Sequence, residues 1–121
     1  MDEENYSSME GLLKWIREKN EQYLSEQIEF TDYCREKMKQ RNIEENSILS
    51  ILNSKEDLFY AELQKRSFHE KIEKRYKLVY RISSKYSFII IVAYYKKNLK
   101  VINVIKTSKD FKIKWRKKIL K

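Results

Sequence analysis

The sequence predicts an α+β fold: N-terminal helices, then a roughly four-stranded antiparallel sheet, then a short C-terminal helix. Three observations carry this reading. Apolar residues recur at helical spacing up to about residue 54, and at a period of two from Leu58 onward. The strand-like runs are joined by short polar segments, "SSKYS" and "KKNLK", which suit antiparallel hairpins. Helices that all precede the strands, rather than alternating with them, predict a sheet with its helices segregated. The chain has 121 residues, enough for one core without staples, and its single Gly and absent Pro leave no linker signature.

The first helix is expected in "SSMEGLLKWIREKNEQYLSEQIEF". Ser7 or Ser8 can cap it, acids lie near its start, and Leu12, Leu13, Ile16, Tyr23, Leu24 and Ile28 fall on one stripe flanked by Trp15. A second helix is expected in "TDYCREKMKQRNI", with Thr31 as N-cap, Cys34 and Met38 inward with Tyr33 as a further candidate for that side, and Arg41-Asn42 as the stop. The third, "EENSILSILNS", turns Ile48, Leu49, Ile51 and Leu52 inward, with Ile43 placed as a hydrophobic staple.

The strands follow as "LFYAELQKR", "EKRYKLVYRIS", "SFIIIVAYY" and "LKVINVIKT". The third is apolar on both faces, so it is expected at the centre of the sheet with Ile90 buried. In the fourth, Leu99, Val101, Asn103 and Ile105 are expected on one face and Lys100, Ile102, Val104 and Lys106 on the other. Asn98 can take a left-handed turn in "KKNLK". Ser108 is expected to cap a closing basic helix in "SKDFKIKWRKKILK".

Charge is the strongest functional signal. The net charge is +9, unevenly spread. Residues 1–30 carry eight acidic and three basic side chains, a net of −5, and residues 31–64 carry seven and five, a net of −2. Residues 65–121 carry three acidic and nineteen basic side chains, a net of +16. A one-signed block implies a polyanionic partner. The single Cys34 allows no internal disulfide and no multi-Cys metal site, and it fits a reducing compartment. The longest apolar run, Phe88 to Tyr95, is far short of the roughly 18 residues of a membrane span, and the acidic N-terminus is not a secretory signal. The expected location is the cytoplasm, away from membranes. No Gly-rich phosphate loop, paired-carboxylate motif or metal-ligand spacing is present, so no cofactor is expected.

The stretch "FTDYCREKMKQRNIEENSILSIL", with "RYKLVYRIS", "FIIIVAYY" and "KVINVIKTSKDFKIKWRK", resembles a group of small domains of unknown function. Their pattern is a His-Ala pair, a basic run, Arg-Gly-Ile, then acids and Ile or Leu. Here Tyr33 stands at the His position and Asn42 at the Gly. The group is similar in architecture to the RelE/ParE-like and BrnT-like toxins of toxin–antitoxin modules, small basic α+β proteins of which several cleave RNA without a metal. The resemblance covers about residues 30–118. It implies a RelE-like domain over residues 30–121, with residues 1–29 as an N-terminal amphipathic helical extension. It also implies RNA as partner, possible ribosome association, an acidic antitoxin protein and the possibility of a homodimer.

Metal-free cleavage by the 2′-hydroxyl needs a base for the 2′ proton, a cation for the phosphorane and an acid for the 5′ oxygen. Arg81 and Lys77 on a strand, Tyr33 at the family His position and His69, the only histidine, are the candidate catalytic residues. Lys37 and Arg41 on the second helix, Arg75 beside Lys77, Lys106 at a strand end, and Lys114, Arg116 and Lys117 in the tail are candidate phosphate contacts. Arg75, Lys77 and Arg81 alternate in register and are expected on one sheet face, flanked by Tyr94 or Tyr95. Trp115 is more often a pin for the closing helix than a base-stacking residue, and Cys34 more often core than nucleophile. The other reading is a non-catalytic nucleic-acid-binding or protein-interaction module of the same fold.

Overall fold

The computed structural model describes residues 8–68 and 71–108. Three helices come early: α1 (Met9–Asn20), α2 (Asp32–Gln40) and α3 (Glu45–Leu52). A 3₁₀ turn (Ser25–Gln27) and a short strand β1 (Ile28–Phe30) lie between α1 and α2. Four long strands follow: β2 (Leu58–Phe68), β3 (Lys71–Arg81), β4 (Tyr86–Tyr94) and β5 (Leu99–Ser108). They form one sheet in the order β1-β5-β4-β3-β2. The fold class is therefore α+β as expected, but the sheet has five strands, not four.

The extra strand corrects the reading of the first helix. Ile28 and Phe30 pair in parallel with Leu99 and Val101 of β5. The helical stripe breaks earlier, at Asn20, and Leu24, placed on the inward stripe by its spacing, is 62% exposed. Residues 28–30 gain a ladder with β5 that the helix could not offer, so tertiary pairing overrides the local period.

Helix α2 starts and stops as its sequence implies. The Thr31 hydroxyl accepts from the Cys34 N–H at 3.1 Å. At the other end Asn42 adopts φ 58°, the left-handed conformation that Gly or Asn supplies after a helix. The Ile43 N–H reaches Met38 O at 2.8 Å and the Asn42 N–H reaches Lys39 O at 3.2 Å, the paired bonds of a Schellman stop. At α1, Ser8 caps the Gly11 N–H at 3.1 Å.

One face of the sheet carries the core. Leu12, Leu13 and Ile16 of α1, Cys34 and Met38 of α2, and Ile48 and Leu52 of α3 share one cluster with Leu78, Tyr80, Ile90, Val92, Leu99, Val101 and Val104. Ile90 is fully buried on β4, the central strand. Inside this core sits a polar residue the sequence does not advertise. Asn20 is 5% exposed; its Nδ2 donates to Tyr80 Oη at 3.0 Å and to Leu52 O at 3.3 Å, and its Oδ1 accepts from Tyr94 Oη at 2.6 Å. Trp15, Tyr23, Tyr76 and Tyr94 pack edge and face around it, with ring centroids 5.2 to 6.1 Å apart.

A bulge corrects the reading of β5. Ile91 pairs with Asn103 but Val92 pairs with Val101, so Ile102 has no partner on β4. The alternation slips there. Val104 joins Leu99 and Val101 in the core, while Asn103 and Ile105 pass to the opposite face. Asn98 does not take the left-handed conformation; among the described residues only Asn42 does so without being Gly. The β4–β5 turn is closed instead by the Tyr95 N–H on Asn98 O at 2.9 Å. Ser108 is the last residue of β5 and pairs with Tyr86. The segment expected as a closing helix capped by Ser108, with Trp115, lies outside the described residues.

Candidate nucleic-acid interface

The alternation of each strand places a second set of residues on the sheet face away from the core. No helix among the described residues lies across that face. Its centre is an open groove of about 670 Å³. The floor is aliphatic: Ile89 and Ile91 from β4, Ile102 and Ile105 from β5. Arg75 and Lys77 of β3 and Gln64 of β2 form one bank; Asn103 of β5 and Thr31 and Tyr33 from the start of α2 form the other. Lys77, Ile91 and Asn103 lie in one row across three strands. At about 4.8 Å per strand, Lys77 and Asn103 stand roughly 10 Å apart at the backbone.

Three of the sequence-predicted site residues thus meet: Tyr33, Arg75 and Lys77. Tyr33 is 55% exposed, and Lys37, one turn along α2, sits with its Nζ 5.7 Å from the Tyr33 ring centroid. Arg75 is held from behind. Its Nε donates to Glu73 Oε1 at 2.7 Å, and Glu73 Oε2 accepts from Tyr95 Oη at 3.0 Å. Lys100 Nζ lies 5.6 Å from the Tyr95 ring, so Arg75, Glu73, Tyr95 and Lys100 form a chain from β3 past the end of β4 to β5. The Arg75 bond, with help from Tyr95, holds the Glu73 carboxyl below the usual range, while burial and Glu73 push the Tyr95 phenol up. Tyr94 and Tyr95 do face opposite sides, as alternation implies: Tyr94 into the Asn20 network, Tyr95 onto the groove face.

The remaining predicted residues do not gather there. Arg81 shares the face but lies four residues beyond Lys77, about 13 Å along the strand, with its guanidinium 5.2 Å from the Phe59 ring. Lys106 is on the core side of β5, where its Nζ stands 4.6 Å from the Tyr86 ring. It lines a second recess with Asn42, Ile82 and Phe88, not the groove. The bulge explains this displacement. Arg41 points back into the protein: its Nη1 donates to Val104 O at 2.6 Å and to Asn103 Oδ1 at 3.0 Å. His69, Lys114, Arg116 and Lys117 lie outside the described residues.

Glu73, Lys100, Gln64 and Asn103 were not among the residues the sequence singled out for the site; Tyr95 was, as one of the two candidates to flank it. Glu73 shares the period-two face of Arg75 and was legible in principle. Asn103 was hidden by the bulge. Cys34 is buried, and burial raises its thiol to about 11, which keeps it protonated at neutral pH and away from nucleophilic chemistry. Among the described residues no three His, Cys, Asp or Glu side chains stand together as a metal site, and no helix is long and apolar enough to cross a membrane. The chain matches no protein-family model, no curated protein and no solved structure at a significant level.

Proposed function

We propose that this protein binds RNA through the open sheet face, and that it acts as a metal-independent endoribonuclease of the RelE-like toxin type. The observation that supports this best is the convergence of Tyr33, Arg75 and Lys77 on one groove with an aliphatic floor. Cations on the bank would hold the phosphodiester, and the apolar floor with Tyr33 would take an unstacked base. In this reading the 2′-oxygen attacks phosphorus and the P–O5′ bond breaks, giving a 2′,3′-cyclic phosphate and a 5′-hydroxyl. Arg75, fixed by Glu73, faces the charge that develops on the phosphorane, and Tyr33 and Lys77 move the two protons. The order of elements, helices before an antiparallel run of strands, is what the resemblance implies for such toxins. The RNA as ribosome-bound message and an acidic antitoxin as inhibitor belong to the same proposal.

The test is incubation with free and ribosome-bound RNA in excess chelator. Cleavage leaving 2′,3′-cyclic phosphate ends, lost in Lys77→Met and Arg75→Met, is the expected result. Binding without cleavage in either setting favours a non-catalytic module. Arg81 favours that second reading, since it sits over Phe59 and away from the groove. Affinity that stays flat between low and high salt defeats both readings, because neutralising phosphate releases counterions.

A further inference from the structure

We infer that Asn103 is a phosphate-contacting donor of the groove and that Arg41 is a positioning residue acting through it. The inference rests on the RNA-binding reading above and assigns residues to that site. Its basis is the orientation of one amide. Asn103 Oδ1 accepts from Arg41 Nη1 at 3.0 Å and from the Val104 N–H at 2.9 Å. Both partners are donors only, so the oxygen must face them and the assignment of the amide is forced. The acceptor end is doubly occupied. Nδ2 is the end that remains for a ligand, and Asn103 lines the groove across from Lys77.

The fold explains why this orientation is held. β1 covers β5 only from Leu99 to Val101. Past the bulge, the Val104 N–H is taken by Asn103 and its carbonyl by Arg41 at 2.6 Å. The same two side chains therefore satisfy β5 backbone that β1 does not reach and lock the amide. Arg41 is set in place by the Schellman stop of α2, whose bonds from Asn42 and Ile43 fix the backbone there. An amide with its donors presented, across the groove from Arg75 and Lys77, suits an anionic oxygen. Arg41, by contrast, spends its charge on Asn103 and a carbonyl.

The probe is a fluorescent 2′-O-methyl RNA oligomer of about 12 nucleotides, within common single-strand site sizes, which binds but cannot be cut through its 2′ position. Affinity is measured over a series of salt concentrations for wild type, Asn103→Ala, Asn103→Asp, Arg41→Met and the Ala/Met double variant. Asn103→Asp keeps an acceptor for Arg41 and Val104, so its folding serves as the control. The expected result is a loss of about tenfold or more in Asn103→Ala, as for a hydrogen bond to a charged group, with the salt slope unchanged. Asn103→Asp stays folded and binds at least as weakly. Arg41→Met also weakens binding at unchanged slope, and the double variant is no weaker than the worse single, because both act through one contact.

Wild-type affinity in Asn103→Ala overturns the inference while leaving the groove intact as an RNA site. An Arg41→Met effect that adds to that of Asn103→Ala, with a salt slope lower by about 0.7, makes Arg41 a direct phosphate contact and overturns its positioning role. Absence of salt-dependent binding in the wild type itself defeats the reading of the groove, and this inference with it.

Discussion

Replacing Asn20 with Ala tests what ties α1 to the sheet. Asn20 makes three hydrogen bonds in a buried site: to Tyr80 Oη at 3.0 Å, to Leu52 O at 3.3 Å and from Tyr94 Oη at 2.6 Å. Truncation leaves those partners without it. A buried group stranded in this way costs about 1–3 kcal/mol. The 3.3 Å bond is the weakest of the three, so the two shorter ones dominate. The expected loss is about 3–5 kcal/mol, a large part of the total stability of a domain this size. With a urea m-value of about 1–3 kcal/mol/M, the unfolding midpoint falls by at least about 1 M.

A cycle with Tyr94 sharpens the test. Tyr94→Phe in the wild type removes one bond and strands Asn20 Oδ1, at about 1–2 kcal/mol. In the Asn20→Ala background the same substitution removes a hydroxyl that has already lost this acceptor, and is expected to be neutral or stabilising. Burial has driven the Tyr94 phenol well above its ordinary value, so the hydroxyl stays protonated throughout the assay range. A cost below about 1 kcal/mol for Asn20→Ala, or an equal cost of Tyr94→Phe in both backgrounds, refutes the reasoning and makes the network incidental to α1 docking.

Two further predictions concern the sheet itself. Ile90 is fully buried on the central strand, so Ile90→Ala is expected to cost about 2–5 kcal/mol in urea unfolding, and a change under about 0.5 kcal/mol contradicts its central place. Glu73 is held below its usual range chiefly by Arg75; a depressed carboxyl stabilises the fold above the ordinary Glu value near 4.3 and loses that contribution as pH falls through its folded value. Unfolding midpoints measured across that acid window are expected to fall more steeply for wild type than for Glu73→Gln, and parallel curves refute the coupling.

Much of the frame was legible because local chemistry and tertiary structure agree. Thr31 and Asn42 mark the boundaries of α2, and each does what its residue type implies, while Ile43, the staple position of α3, packs against the core cluster. The four long strands follow from the period change at Leu58. What stayed hidden has specific causes. β1 is three residues long, too short for a period, and Tyr23, Leu24 and Ile28 mimic helical spacing. The β5 bulge carries no Gly or Pro signal, so strict alternation assigned Asn103 and Val104 to the wrong faces. β4 is apolar on both sides, so its pattern could not say which face the helices cover. Asn20 is polar in sequence and core in space, because its partners lie 32 to 74 residues away.

The groove follows from how the sheet sorts a linear charge block. Residues 65–121 carry a net of +16, yet β3 and β5 divide the cations they carry between two faces. Arg75 and Lys77 go to the groove, while Lys106 goes to the core side past the bulge. Helix α1 packs on the core side, a full sheet away from Arg75 and Lys77. At physiological salt the Debye length is about 8 Å, comparable to that separation, so charges on α1 act weakly on a ligand in the groove. Deleting α1 therefore acts first on stability, through Leu12, Leu13, Ile16 and Asn20. Helix α2 is different, because it serves both faces at once. Cys34 and Met38 enter the core, Tyr33 at one end lines the groove, and Arg41 at the other end holds Asn103. About eight residues of helix, roughly 12 Å, separate those two positions. The groove's outer bank is thus fixed by the same helix that helps fill the core, so repacking around Met38 is expected to reach the site as well as the sheet.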